Sequence, residues 1–352
     1  MIVLGADMHK RSHTIAAVSA TTGEMAGEKT IEVGARGFAA ALNWARGLGG
    51  ERVWALEDCR HVSGALERFL LVRGERVVRV AARLTASERR NGRDRGKSDR
   101  IDAIAVARAA LREGLDRLPI AELAGVELDI RLLIDHRERL VRMRVALYND
   151  LLWHLHDLWP ELALPGCALL SKKWSTRIGR RLARAEQTAR IRIARDELRH
   201  LRELSHTIDA LEAEIAELVA QAAPQLLSEP GFGPLTAGKL IGEIAGAHRF
   251  SSDAKLARAG GIAPIPVSSG NTNRHRLDRG GNRQINTAIH RVAVTRARCH
   301  PETRAYLDRK RSEGKTTKDA IRCLKRHLAR RIWHLLVDPA QRGPGHPHPS
   351  TS

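Results

Sequence analysis

The chain has 352 residues, and its 60 Lys and Arg outnumber its 40 Asp and Glu, which gives a formal net charge of +20. With 43% hydrophobic residues it is not a disordered polymer, and its length predicts two or three domains with real cores. No apolar run approaches the roughly 18 residues that a membrane-spanning helix needs. The surplus of positive charge therefore indicates a polyanionic partner, above all nucleic acid.

The expected location is the cytoplasm. The short apolar stretch at the N-terminus is interrupted by Asp7, so it does not match a signal peptide. The four cysteines lie far apart in the sequence, which suits a reducing compartment.

The first 112 residues alternate between strand and helix patterns. This alternation predicts an α/β sheet with helices packed on it. Strands are predicted at 2–7, 13–18, 29–33, 53–56 and 76–80, and helices at 37–48, around 66–70 and at 98–112.

Residues 113–222 have few strand signals and predict a helical linker. Its later part carries an apolar 3-4 repeat that continues for three heptads. This pattern indicates either an intermolecular coiled coil or one helix of an antiparallel bundle within the chain. The repeat consists of Leu201, Leu204, Ile208, Leu211, Ile215 and Leu218.

Residues 223–337 form a third segment, which is mainly helical and basic. Between residues 270 and 340 there are 18 Lys and Arg against 6 Asp and Glu. The remaining residues, 338–352, are rich in Pro, Gly, His and Ser and are expected to be disordered.

Four carboxylates fall at the ends of these predicted elements. Asp7 ends the first strand, and Glu57 ends the fourth. Asp58 is the alternative to Glu57, and only one of the two should reach the site because neighbouring residues on a strand face opposite ways. Asp99 and Asp102 share one face of the last helix. Such a quartet can bind two Mg²⁺ ions and support phosphodiester cleavage. Ordinary surface acids are the alternative.

Two segments are expected to hold a nucleic-acid backbone. The first is a basic run directly before Asp99, with Arg93, Arg95 and Lys97, which could instead be a solvated loop. The second contains Gly231 and Gly233 between two helical stretches and reads as a helix-hairpin-helix, with a plain interhelical turn as the alternative.

A Ser-Ser-Gly sequence follows a proline-restricted loop. A serine here, Ser268 or Ser269, could present an unhindered hydroxyl, although such a sequence is more often a turn. The basic residues beyond it that could bind nucleic acid are Arg274, Arg276, Arg279 and Arg283.

The ordered motifs GADMHK, ALEDC, GKSDRIDA, PGFGPLTA, AGGIAPIPVSSG and RGGNRQIN make the chain similar to the insertion sequence 110 family of transposases. The resemblance implies an RNase H-like (RuvC-like) domain at 1–112 with a metal-binding DEDD quartet. It also implies a coiled-coil dimerisation segment at 113–222 and a transposase domain with a nucleophilic serine at 223–337. By position, Asp7, Glu57, Asp99 and Asp102 match the quartet, and Ser269 matches the nucleophile.

The resemblance further implies Mg²⁺ as cofactor, DNA as substrate, a structured bridge RNA as guide, and assembly into dimers or tetramers. Two other functions fit the residues. A metal-dependent nuclease of the Holliday-junction type would keep the quartet and use water, and a basic architectural protein would bind DNA or RNA without cutting it.

Overall fold

A computed structural model of the chain describes residues 1–57, 60–80, 82–91, 98–118, 125–269, 272–276, 278 and 281–337. It has two units, and each is assembled from separated stretches of sequence. The first unit combines residues 1–125 and 245–286 with the segment that starts at residue 322. The second combines residues 126–244 with 287–321.

The N-terminal segment forms a five-stranded mixed sheet with the strand order β3-β2-β1-β4-β5. The first three strands are antiparallel neighbours, whereas β4 and β5 run parallel to β1. This sheet confirms the predicted α/β class and all five predicted strands. The strands are β1 (Ile2–Met8), β2 (Ser12–Ser19), β3 (Met25–Glu32), β4 (Arg52–Glu57) and β5 (Val77–Val80).

Four helices accompany the sheet. Three of them were predicted from their apolar spacing, but the third in chain order was not, because its sequence is mostly polar and arginine-rich. They are α1 (Ala35–Gly47), α2 (Arg60–Leu71), α3 (Ala82–Asn91) and α4 (Asp99–Glu113).

The two faces of the sheet are covered by different helices. Leu4 and Ala6 of β1 belong to the core beneath α1 and α2, whereas Val3 belongs to the core beneath α4. Gly5 and Asp7 follow Val3 at intervals of two, so they share the α4 face. A Cβ atom at Gly5 would lie 2.2 Å from the carbonyl oxygen of Ala103, so α4 crosses β1 in direct backbone contact.

The second unit is built around two long antiparallel helices, α5 (Val126–Leu158) and α7 (Ala189–Ala222), with α6 (Lys172–Arg184) between them in sequence. Ion pairs mark the direction, because Arg137 contacts Glu212 near one end and His154 contacts Glu197 near the other. The heptad segment lies in α7, where its Leu201 is buried. The pattern therefore corresponds to an antiparallel pair within the chain, and an intermolecular coiled coil is not confirmed.

After α7 come the one-turn helix α8 (Pro224–Leu227) and α9 (Pro234–Ile244). Helix α9 lies close against α5, since a Cβ at Gly242 would come within 2.6 Å of Arg131 Cβ. Two helices thus flank a turn as predicted. The helix-hairpin-helix itself is not confirmed, because α8 is only four residues long.

The C-terminal part is mainly helical, as predicted, but it includes a two-stranded hairpin that the sequence pattern did not predict. Helix α13 is tied to α10 through Arg326, which contacts Asp253 at 2.8 Å. Trp333 of α13 donates from Nε1 to the carbonyl of Phe250, which precedes α10. The elements are α10 (Asp253–Ala259), β6 (Ile265–Ser269), β7 (Thr272–Arg276), α11 (Arg283–Cys299), α12 (Pro301–Ser312) and α13 (Thr317–Leu336).

Within the described ranges, no helix is both long enough and apolar enough to cross a bilayer. The predicted tail at 338–352 lies outside the described residues.

The contact between β1 and α4 can be tested with Gly5→Ala. The added methyl would meet the backbone of α4, so we expect the free energy of unfolding to fall by about 1–3 kcal/mol in a urea titration. Gly47→Ala is the control, because a Cβ there has no atom within 4 Å and a helical alanine is at least as stable as glycine. Unchanged stability of Gly5→Ala would contradict the close approach.

Candidate active site

Four carboxylates meet at the C-terminal edge of the parallel strands. Strand β1 pairs with β4 so that Ala6 is opposite Leu56, which brings Glu57 beside Asp7 on the same face of the sheet. This face is the one that α4 covers, and Asp99 and Asp102 occupy the first turn of that helix. The close approach at Gly5 therefore brings the two pairs of acids together.

The start of α4 is well defined. The hydroxyl of Ser98 accepts a hydrogen bond from the Ile101 amide and caps the helix. Carboxylates in a first helical turn interact favourably with the positive end of the helix dipole. The local sequence thus favours acids at this position before any ion binds.

His9 lies between two members of the quartet. Its Nε2 atom is 3.2 Å from Asp7 Oδ2 and 3.3 Å from Asp99 Oδ1. Potential ligand atoms of these three residues all lie within 4.8 Å of one another. The sequence interpretation did not include His9, although its position two residues after Asp7 places both side chains on one face of an extended chain.

The carboxyl group of Asp7 is strained electrostatically. Burial raises its pKa above the ordinary value of 3.8; His9 lowers it, and the charges of Asp102, Asp99 and Glu57 raise it further. Its buried Oδ2 atom makes no hydrogen bond to any described residue, and the contact with His9 lacks hydrogen-bond geometry.

Two other buried carboxylates of this domain have close cationic partners. Glu67 receives two hydrogen bonds from Arg79, at 2.7 and 3.1 Å, and Glu75 is bound by Arg52 and by Trp54 Nε1. Asp7 instead faces three more acids. This arrangement fits a divalent cation, because the metal would supply the missing positive charge and use the unpaired oxygen.

The predicted nucleophiles lie in a strand rather than a loop. Ser268 is opposite Asn273 in the β6–β7 hairpin, and Ser269, opposite Thr272, is the last residue of β6. Only their backbone belongs to the described part of the chain.

Two of the sequence motifs meet just before this hairpin. Gly261 has a φ of +64°, and a Cβ at Gly281 would fall 2.0 Å from its nitrogen, so Gly281 is in backbone contact with Gly260 and Gly261. The Asn286 amide donates to the carbonyls of Gly260 and Gly261 at 3.0 and 3.1 Å. The AGGIAP and RGGNRQIN motifs therefore have a structural role in positioning the segment that leads to β6.

Lys325 of α13 hydrogen-bonds to the same Asn286 side chain. Its Nζ donates to the Asn286 side-chain oxygen, and burial lowers the pKa of Lys325 to about 8, with a further contribution from Arg322. Neither Asn286 nor Lys325 was singled out in the sequence, because their partners are 25 to 39 residues away.

The predicted nucleic-acid residues have different positions. Arg276 and Arg283 are exposed, and the backbone of Arg274 lies in β7. In the turn before α9, Gly231 has a φ of +81° and packs on α11, where Arg296 binds the Pro230 carbonyl. Gly233 has open space around its Cβ position. Residues outside the described part are Asp58, Arg93, Arg95, Lys97 and Arg279.

The strained carboxyl predicts the behaviour of Asp7→Asn. Because the folded-state pKa is raised, wild-type stability falls as the pH rises above 3.8 through the shifted value, so neutral pH carries the full cost. We expect Asp7→Asn to melt at a higher temperature than wild type at pH 7 in EDTA, and to gain less from added Mg²⁺.

The control is Asp209→Asn, which removes the same charge from an exposed position in the interior of α7. It should leave both the EDTA melting temperature and the Mg²⁺ response unchanged. A lower melting temperature for Asp7→Asn in EDTA would argue against repulsion at this edge.

Lys325 predicts a pH dependence of opposite sign. Since its folded pKa of about 8 lies below the ordinary 10.5, the unfolded chain binds more protons between these values, and stability rises with pH there. Compared with Lys325→Met, wild type should gain at most about 3 kcal/mol of unfolding free energy between about pH 7 and 10.5. Parallel urea-stability profiles would contradict this, and Lys318→Met, exposed on α13, serves as control.

Comparison with known proteins identifies two matching family models. Residues 4–160 match the DEDD transposase model of IS110 elements, and residues 223–308 match the model described as "Transposase IS116/IS110/IS902 family". The first match suggests an RNase H-like fold for the sheet domain and implies the use of a divalent metal.

Three similar proteins are named after the insertion elements that encode them. An uncharacterized 42 kDa protein of IS900 from Mycobacterium paratuberculosis is 25% identical over 83% of this chain and 84% of its own length. A 44.8 kDa protein of IS116 from Streptomyces clavuligerus is 26% identical over 81% and 82%. A 43.6 kDa protein of IS110 from Streptomyces coelicolor is 36% identical over 37% and 33%. With family models matched in both its N-terminal and C-terminal parts, the chain belongs to the IS110 family of transposases, enzymes that cleave DNA and transfer its strands.

Proposed function

We propose that this transposase cuts and rejoins DNA with two chemical groups: a Mg²⁺-binding quartet of Asp7, Glu57, Asp99 and Asp102, and the hydroxyl of Ser269. The observation that carries the proposal is the convergence of four acids, one of them buried and without a hydrogen-bond donor, in a chain of this family. The quartet would hold the cations, with His9 as a further candidate ligand.

Bound divalent cations would neutralise a scissile phosphate and stabilise charge on its oxygens. The residues of the chain would position this phosphate and exclude alternative binding modes. Asp7 and Glu57, fixed at the ends of hydrogen-bonded strands, would form the rigid side of the site, and Asp99 and Asp102 would close it from α4.

Ser269 would form the covalent link to DNA. Its oxygen would attack the phosphorus, the bond from phosphorus to one sugar oxygen would break, and that oxygen would leave as a hydroxyl with the serine proton. The phosphoserine bond would keep the energy of the broken linkage for strand transfer. The position of Ser269 at the end of β6 and its match to the family motif support this role.

The partners follow from the same resemblance. We propose that a structured bridge RNA encoded in the element guides the protein, so that base pairing rather than side chains selects the target. Assembly into dimers or tetramers and a cytoplasmic location complete the proposal. A guide segment complementary to both the element end and the insertion site in the flanking DNA would support it.

A nuclease that uses water is the second candidate, because the acid cluster alone would suffice for it. This alternative predicts free 5′-phosphate ends without a protein adduct. An architectural protein would bind equally well with or without Mg²⁺ and produce no strand breaks.

The serine assignment is tested by trapping the reaction on denaturing gels. With Mg²⁺ and a substrate that contains the element end, wild type should form a covalent protein–DNA adduct, and Ser269→Ala should lose it at least 100-fold. Ser268→Ala is the matched control and should retain the adduct. An adduct that persists in Ser269→Ala, or disappears only in Ser268→Ala, would move the nucleophile elsewhere.

The metal assignment is tested with Asp102→Asn in the same assay. Both the adduct and any strand breaks should disappear, while DNA binding in EDTA persists. Adduct formation by Asp102→Asn at the wild-type rate would remove this residue from the site.

A further inference from the structure

The excess of positive charge is confined to two short parts of the sequence. Residues 270–340 carry a net charge of +12, as noted above. Residues 171–202 carry eleven Lys and Arg against three Asp and Glu, a net charge of +8. These two segments account for the whole +20, so the rest of the chain is neutral on balance.

The segment 171–202 folds as α6 and the first part of α7. Its apolar side chains, such as Ile178 and Leu182 of α6 and Leu198 of α7, join Leu151 and Leu155 of α5 in one buried cluster. Most arginines of this segment lie on the exposed side of α6 and α7. The segment thus has a buried apolar side and an exposed basic side.

A cleft of about 670 Å³ lies between α6 and α7. Gly179 permits the close approach of the two helices, since a Cβ there would lie 2.8 Å from Arg202 Nη2. The arginines that line this cleft are Arg180, Arg192, Arg195, Arg199 and Arg202.

A second cleft, of about 710 Å³, lies on the other side of α6. It extends to Trp159 and is lined by further cations of α6, and Arg180 borders both clefts. The additional cations are Lys173, Arg177, Arg181 and Arg184. Helix α6 is therefore a basic ridge with a basic cleft on either side.

Some of these cations have local hydrogen-bond or ion-pair partners among the described residues, and others do not. Arg202 is fixed by hydrogen bonds to Ser175, and Arg199 pairs with Asp196. Arg180 and Arg192 are exposed, and neither forms an ion pair with an acid of the described chain. They are therefore two exposed positive charges in the lining of the first cleft.

We propose that the α6–α7 clefts bind the phosphate backbone of duplex DNA. Its residues are different from those of the acid cluster and of the β6–β7 hairpin, and they belong to the helical segment that the sequence predicts to be a linker and dimerisation segment. Four arginines on α7, from Arg192 to Arg202, span ten residues, or about 15 Å of helix. That length matches about four phosphates of one strand at 3.4 Å each along the axis.

The aromatic residues of the clefts favour a duplex over a single strand. Single-stranded nucleic acid is bound through aromatic faces on which bases stack. Here the guanidinium of Arg181 covers the ring of Trp159 at 4.1 Å, and Arg177 lies over Trp174 at 5.1 Å. Because cations already occupy these ring faces, the clefts offer charge for a backbone rather than platforms for bases.

The test is DNA binding by fluorescence anisotropy, with a mixed-sequence duplex of about 30 base pairs in EDTA, over a range of salt. The double variant Arg180→Glu with Arg192→Glu should weaken binding on the order of tenfold. Its plot of log affinity against log salt should lose about 2 units of slope, because two phosphate contacts disappear.

The matched control is Arg139→Glu with Arg142→Glu, which makes the same change in net charge at exposed positions of α5 outside both clefts. It should weaken binding less than twofold. Equal losses in the two double variants would mean that only overall charge matters, and this would overturn the proposal. Wild-type affinity in the cleft variant would do the same.

Further measurements identify the type of nucleic acid that binds and check that the variants fold. Single-stranded DNA and duplex RNA of the same sequence are titrated alongside, and a loss confined to either of them would overturn assignment to duplex DNA. Thermal melting checks folding, and Arg180→Gln with Arg192→Gln provides a neutral pair if the glutamates prevent it. Since EDTA stops cleavage and Asp102→Asn should bind normally, failure here is independent of failure of the proposed chemistry.

Discussion

The direct contact between β1 and α4 is the constraint on which the candidate site depends. A glycine at position 5 lets the helix backbone approach the strand, and the same face of that strand ends two residues later at Asp7. The approach that buries this carboxyl also brings Asp102 and Asp99 towards it, with Glu57 arriving from the neighbouring strand. Packing and repulsion are therefore two results of one geometry. The fold maintains an electrostatic repulsion between these carboxylates that a bound cation can relieve.

Much of this arrangement follows from sequence, because strands alternate their faces and parallel strands end at one edge. Apolar and alternating runs predicted the five strands, and the meeting of strand ends at one edge grouped Asp7 with Glu57. They gave no information on the polar helix α3, on the strand character of the segment with Ser269, or on His9 as a neighbour of two acids. The contact of Asn286 with Gly260 was also beyond reach, since it depends on how a loop and a helix 26 residues apart meet in three dimensions.

The charge distribution indicates a division of labour along the chain. Four acids lie where strands and a helix meet, and the cations of residues 171–202 lie in a segment whose apolar residues are buried in one core. In the second unit the long antiparallel helices α5 and α7 are joined by two ion pairs, and α9 packs against α5. A helical segment that reads as a spacer in sequence is thus also the scaffold for the basic clefts. Its heptad repeat is used within the chain.

The assembly of the first unit from distant stretches has a consequence for synthesis. Helix α13 is tied by Arg326 and Trp333 to residues around 250, so that part of the unit becomes complete only after the last helix has left the ribosome. Residues 126–244, by contrast, are contiguous in sequence and emerge earlier. A chain that ends before residue 322 would contain all four acids but would lack the contacts of Arg326 and Trp333, so its first unit would be incomplete.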